Sequence, residues 1–201
     1  MSDPTGPPVS LLVLGHGAGG DVDAPDLTAV RVAALAAGVR VALVTQPYRL
    51  AGRRAPAPAG HLDEAWTAAV RSLRSRTGAG RPRAAAARRA AEALPLICGG
   101  RSSGARVACR TAHGLGAVAV LALAFPLHPP GHPERSRADE LPTDLPTLVV
   151  NGDRDPFGVP LAGGTVEVEV RPGDRHDLRR DPVAVADTVV RWLRRHGWAA
   201  G

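Results

Sequence analysis

Short apolar runs, closed by glycine or proline and separated by longer helix-compatible stretches, constrain this chain more than any other feature. They fall at residues 10–14, 39–44, 94–98, 118–124, 147–150 and 165–170. The first, Ser-Leu-Leu-Val-Leu, is continuous rather than alternating, which is how a strand buried on both faces reads. Residues 27–37 are rich in Ala, Leu and Val and stop at Gly38, so they read as a helix. Segments 61–76, 84–93 and 103–113 read the same way. Asp181-Pro182 marks a helix start, an N-cap followed by Pro at the first helical position. That helix runs to about His196, with Ala186, Val189, Val190 and Leu193 on one stripe. Segments 15–26 and 49–60 read as loops, and 77–83 as a flexible join. Strands alternating with helices imply one α/β domain, a parallel-dominated sheet of about six strands with helices on both faces. Residues 1–9 form a polar, Pro-rich, flexible N-terminal tail, and 10–201 the domain.

Composition narrows the function classes. The chain has 201 residues, 44% apolar and 22% charged, enough for one sizeable core and unlike a disordered chain. No apolar run approaches the ~20 residues that span a bilayer, so no membrane association is expected. The tail lacks the basic and apolar regions of a signal peptide. Cys98 and Cys109 match neither a disulfide framework nor a zinc pattern, and a cytoplasmic location is the expectation. The net charge is +6, and every basic residue is Arg. Acidic residues are interspersed and no aromatics accompany the arginines, so a nucleic-acid partner is not expected.

Two glycine motifs compete for the function. Gly15-His16-Gly17-Ala18-Gly19-Gly20 contains the G-x-G-x-x-G of dinucleotide-binding folds, but about 0.3 such matches arise by chance at this glycine content. The second strand ends in Thr45-Gln46-Pro47, with no acid for a ribose hydroxyl. Three aspartates and Pro25 follow the glycines where an anionic pyrophosphate would bind. Gly100-Arg101-Ser102-Ser103-Gly104 is a G-x-S-x-G, for which chance gives about 0.1 matches. It lies between an apolar strand and a helix, as a nucleophile elbow requires. The flanking positions must be small because the serine sits on a tight turn, and the helix N-terminus offers unpaired N–H groups to an oxyanion. Centring the motif on Ser103 instead would need glycine at Arg101 and Ala105.

A serine nucleophile needs a base and an orienting acid, which in this architecture follow in the order Ser, Asp or Glu, His. After the fifth strand stand Asp153 and Asp155, and after the sixth stands His176. Together these residues resemble the α/β-hydrolase superfamily, most of all its small dienelactone-hydrolase-like branch. That branch includes the hydrolase-like domain related to a chromatin acetyltransferase complex subunit. The resemblance spans about residues 10–198. It rests on His16-Gly17-Ala18-Gly19-Gly20, Gly99 to Arg106, Phe125-Pro126-Leu127-His128-Pro129, Gly152-Asp153-Arg154-Asp155 and His176.

The resemblance implies a serine hydrolase of ester or related acyl bonds, with a small-molecule acyl substrate and no metal or organic cofactor. Ser102 would be the nucleophile, His176 the base and Asp155, by the Gly-x-x-acid spacing, the orienting acid. The Ala18 and Ser103 amides would form the oxyanion hole. About twenty residues join the fourth and fifth strands, too few for a cap domain. Arg101 and His128 are candidate substrate-binding residues, and ion pairing is the competing account of Arg101 and Arg106. A non-catalytic interaction module of the same fold is the alternative function.

Overall fold

The computed structural model describes residues 1–53, 55–75 and 94–201. The expected join at 77–83 and helix at 84–93 lie outside the described residues. Six strands form one sheet: β1 (Ser10–Gly15), β2 (Val39–Val44), β3 (Leu96–Arg101), β4 (Ala119–Leu123), β5 (Thr147–Gly152) and β6 (Val166–Arg171). Their order is β2-β1-β3-β4-β5-β6, and every neighbouring pair is parallel. The helices are α1 (Pro25–Ala36), α2 (Pro47–Leu50), α3 (Ala59–Ser75), α4 (Ser103–Leu115) and α5 (Pro182–Arg195).

The two faces of the sheet are covered because successive strand side chains point opposite ways. Leu11 and Val13 of β1 join one core with Leu62, Trp66 and Val70 of α3 and Ala105 and Ala108 of α4. Leu12 and Leu14 join the other core with Leu27 and Val30 of α1 and Val189, Trp192 and Leu193 of α5. Complete burial of a Leu such as Leu12 or Leu193 contributes about 1.5–3 kcal/mol. β6 is the edge strand and is only partly covered. Its Glu167 faces α5, accepting from the Trp192 indole N–H at 3.0 Å. At the opposite edge Ser2 makes an antiparallel bridge to Val41.

Strand order reverses direction between β1 and β3, so the chains leaving their carboxyl ends diverge and open a crevice. In open parallel sheets this is where ligands bind. It is also where Gly15-His16-Gly17 and Ser102 lie. Between β4 and β5 the chain makes only a 3-10 turn at Ala138–Glu140, and no cap is built there.

Several boundaries differ from the sequence expectation. α1 begins two residues early because Pro25 takes the first helical position, where its missing N–H costs nothing. Residues 49–60 are not all loop: Pro47 starts the one-turn α2, and α3 begins at Ala59. β3 runs on through Gly99 and Gly100, which pair with Leu121 and Gly15. Glycine normally weakens a strand, but here the neighbours leave no room for a side chain. A Cβ on Gly100 would stand 2.6 Å from the Gly15 carbonyl oxygen, and one on Gly104 would stand 2.5 Å from the same atom.

A pair of variants measures that constraint. Gly104→Ala is expected to destabilise the protein by about 2 kcal/mol or more, because backbone must move. Gly114→Ala, where nothing lies within 4 Å on the same helix, is expected to stabilise it by about 0.5–1 kcal/mol. Urea denaturation of both variants checks the opposite signs.

Candidate active site

Ser102 follows β3 and precedes α4, with φ 54° and ψ −113°. A non-glycine residue at positive φ carries roughly 1–3 kcal/mol of strain and persists only where its surroundings hold it. Two backbone bonds do so. The Ser102 N–H donates to Leu123 O at 2.9 Å, prolonging the β3–β4 pairing, and its carbonyl accepts from Arg106 N–H at 3.1 Å, starting α4. The close approach of Gly100 and Gly104 to Gly15 lets the turn close, and the serine hydroxyl is left at the crevice.

Two loops bring in the partners. Ser102 Oγ and His176 Nε2 are 2.8 Å apart, and His176 Nδ1 and Asp155 Oδ2 are 2.8 Å apart. An ionised Asp155 only accepts, so Nδ1 carries the proton and Nε2 is the acceptor for the serine hydroxyl. The Asp155 side chain is fully buried. Its other oxygen accepts from Phe157 N–H at 2.9 Å, and Asn151 Nδ2 approaches Oδ2 at 3.4 Å. Phe157 packs edge-on against the His176 ring, with centroids 4.5 Å apart. Asp153 is directed elsewhere, accepting from Gly173 N–H at 2.8 Å. A Cβ on Gly152 would lie 2.3 Å from Asp174 O, so glycine there allows the acid and histidine loops to meet.

The loop after β1 closes over the serine. A Cβ on Gly17 would lie 3.4 Å from Ser102 Cβ. The preceding His16 is buried; its Nε2 accepts from Gln46 N–H at 3.0 Å, so its Nδ1–H donates to Gly17 O at 2.8 Å. The Tyr48 hydroxyl donates to Ala18 O at 3.0 Å. Burial raises the Tyr48 pKa, which keeps the phenol a donor. These bonds take up the carbonyls of Gly17 and Ala18. Ser103 is the first residue of α4, whose amide needs no partner within the helix. Cys98, four residues before Ser102, is a poor nucleophile: burial pushes its thiol up to about 12.

The two candidate substrate contacts are placed differently from Ser102. Arg101 is directed into the protein, its Nε 3.1 Å from Asp26 Oδ2 and its Nη2 donating to His176 O at 3.1 Å. The ion-pairing account of this residue is the one its geometry matches. Arg106 likewise pairs with Glu140, Nε to Oε2 at 2.7 Å. His128 is half-buried against the loop after Asp155, its N–H donating to Phe157 O at 3.1 Å and its ring 3.1 Å from where a Gly158 Cβ would stand.

Sequence reasoning missed Asn151, Tyr48 and Asp26. Asn151 had a readable signal, an amide closing an otherwise apolar strand. Its side chain bridges Phe125, at N–H and carbonyl, to Gly158 O at 3.2 Å.

The profile of a family described as an alpha/beta hydrolase domain matches residues 8–162. No curated protein matches the chain significantly. Among solved structures, an alpha-beta serine hydrolase homologue from Coxiella burnetii superimposes with a TM-score of 0.73 at 17% identity, covering 96% of this chain and 89% of that one. A serine hydrolase without a lid from Xanthomonas campestris gives 0.69 at 18% identity, covering 99% and 88%. A dienelactone hydrolase from Anabaena variabilis gives 0.67 at 19%, covering 96% and 88%. At these identities the likeness speaks for the fold.

The different placement of the two aspartates is measurable. Asp155→Asn is expected to slow the reaction of Ser102 with a fluorophosphonate by about 10³-fold or more, since an amide no longer holds the imidazole in the accepting tautomer. Asp153→Asn is expected to change it by less than about tenfold. The check is labelling kinetics by intact mass.

Proposed function

The chain belongs to the alpha/beta hydrolase domain family, and from that premise we propose that it is a serine hydrolase of ester or related acyl bonds. The observation that carries the reading is the unbroken path from Ser102 Oγ through His176 to Asp155, with 2.8 Å at each step. Contacts of this length are within proton-transfer reach. A hydrolase is also what the fold supports, since the neighbours named above are serine hydrolases and a dienelactone hydrolase.

In this reading Ser102 Oγ attacks the acyl carbon while its proton passes to His176 Nε2. Asp155 stabilises the imidazolium and keeps the ring oriented. The carbonyl oxygen becomes an oxyanion, and the Ala18 and Ser103 amides donate to it. Collapse breaks the bond to the leaving alkoxide, which takes the proton from His176. Water then attacks the acyl-serine, giving its proton to His176, and the carboxylic acid departs as Ser102 is regenerated. Each donor to the oxyanion is worth about 10²–10³ in rate.

The short connection between β4 and β5 sets the substrate class we propose. Without a cap, little apolar surface is available to enclose a long acyl chain, and each CH₂ so buried would contribute about 0.8 kcal/mol. Compact acyl groups, in esters or lactones, fit an open crevice best. Among the described residues no helix is long and apolar enough to cross a membrane.

Two measurements test the proposal. A fluorophosphonate should add once, at Ser102, and S102A should abolish the adduct in a folded protein. An adduct at Ser103, or none on folded protein at neutral pH, would overturn the assignment. In a p-nitrophenyl ester series from acetate to palmitate, kcat/KM should peak at short chains. A steep rise beyond eight carbons would contradict the open site.

A further inference from the structure

We propose that Arg101 and Asp26 act as a positioning pair that holds His176 in register with Ser102, an inference that rests on the serine-hydrolase reading of the site. Arg101 is the last residue of β3, immediately before the strained serine. Its side chain is 14% exposed, so it is not a free cation at the surface. Three parts of the site meet on its guanidinium. Nη2 donates to the His176 backbone carbonyl at 3.1 Å. Nε lies 3.1 Å from Asp26 Oδ2. Nη1 lies beside the loop that carries Ala18, 3.6 Å from where a Cβ on Gly17 would stand and 3.7 Å from one on Gly20.

The guanidinium is a rigid planar fork, so fixing one arm fixes the others. Through it, the backbone of the histidine is tied to the residue next to the nucleophile. Asp26 supplies the countercharge that holds the fork in place. It is fully buried in the first turn of α1, where the helix dipole favours an anion. The Nε–H is not aligned for a hydrogen bond to Asp26, and the backbone amides of Leu27 and Asp26 also favour the carboxylate. The pair is therefore held by charge rather than by donor geometry. Burial raises the Asp26 pKa, and the Arg101 guanidinium opposes that rise. A side chain engaged in this way sets the distance between base and nucleophile without touching substrate.

The test reads the imidazole directly. The proton between His176 Nδ1 and Asp155 should give a far-downfield proton NMR resonance, assigned by its loss in His176→Ala. The variants are Arg101→Gln, Arg101→Lys and Asp26→Asn, with Arg40→Gln, at the remote pair with Asp3, as control. Fluorophosphonate labelling and near-UV circular dichroism accompany each spectrum. Arg101→Gln and Asp26→Asn should broaden or abolish the resonance and slow labelling about tenfold or more with native dichroism. Arg101→Lys should recover part of both, because an ammonium still reaches the His176 carbonyl. Arg40→Gln should leave both unchanged.

A sharp, unshifted resonance in folded Arg101→Gln would overturn the proposal, as would no resonance in the parent protein. If Arg101→Gln does not fold, Arg101→Lys and Asp26→Asn decide, and an unchanged resonance in both overturns it. Loss of folding in Arg101→Lys also overturns it, making the pair a requirement of the fold. A parent that shows the Arg101-dependent resonance but takes no fluorophosphonate would refute the hydrolase reading alone.

Discussion

The backbone turn at Ser102 is the constraint on which the rest of the site depends. Its positive φ is unfavourable, and it survives because β3 pairs with β1 up to Gly100 and with β4 up to Arg101, while α4 starts immediately after it. Glycines at 100 and 104 let β1 and α4 approach within a distance that any side chain would forbid. The strain thus sits where a rigid sheet and a helix N-terminus meet, and it presents one hydroxyl outward. The sheet and helices around it act as a clamp, and the cores on both faces supply the stability that offsets the strain.

Topology then decides what can reach that hydroxyl. The strand order turns at β1 and β3, so the loop after β1 lies beside Ser102. The loops after β5 and β6, carrying Asp155 and His176, approach from the other side. The loops of Asp155 and His176 converge because Gly152 has no side chain to hold the Asp174 backbone away. Asn151 fastens the loop after β4 to the loop of Asp155. These loops are tied to one another by buried bonds, which suits a site with no cap built between β4 and β5.

What was legible in the chain follows from how local each signal is. The continuous apolar runs and the helix stops are local, so the α/β sheet could be read, and G-x-S-x-G between a strand and a helix marked the elbow. The order of serine, acid and histidine could be read because each follows a strand end. β3 was cut short because glycine counts against a strand, whereas Gly99 and Gly100 are strand residues required by their neighbours. The surroundings of Arg101 were not legible: Asp26 lies on another element, and no local pattern distinguishes an arginine aimed at a buried acid from one aimed at a ligand. Tyr48 was hidden for a similar reason, since its bond to Ala18 joins segments thirty residues apart.

The central claim is that Ser102, its two partners and two backbone amides form one reacting centre. A crystal structure of the protein after fluorophosphonate treatment tests it most directly. The account predicts phosphorus bonded to Ser102 Oγ, the phosphonyl oxygen within hydrogen-bond distance of the Ala18 and Ser103 amides, and the His176 ring still bonded to Asp155. Phosphorus on another residue, or an oxygen turned away from both amides, would contradict it.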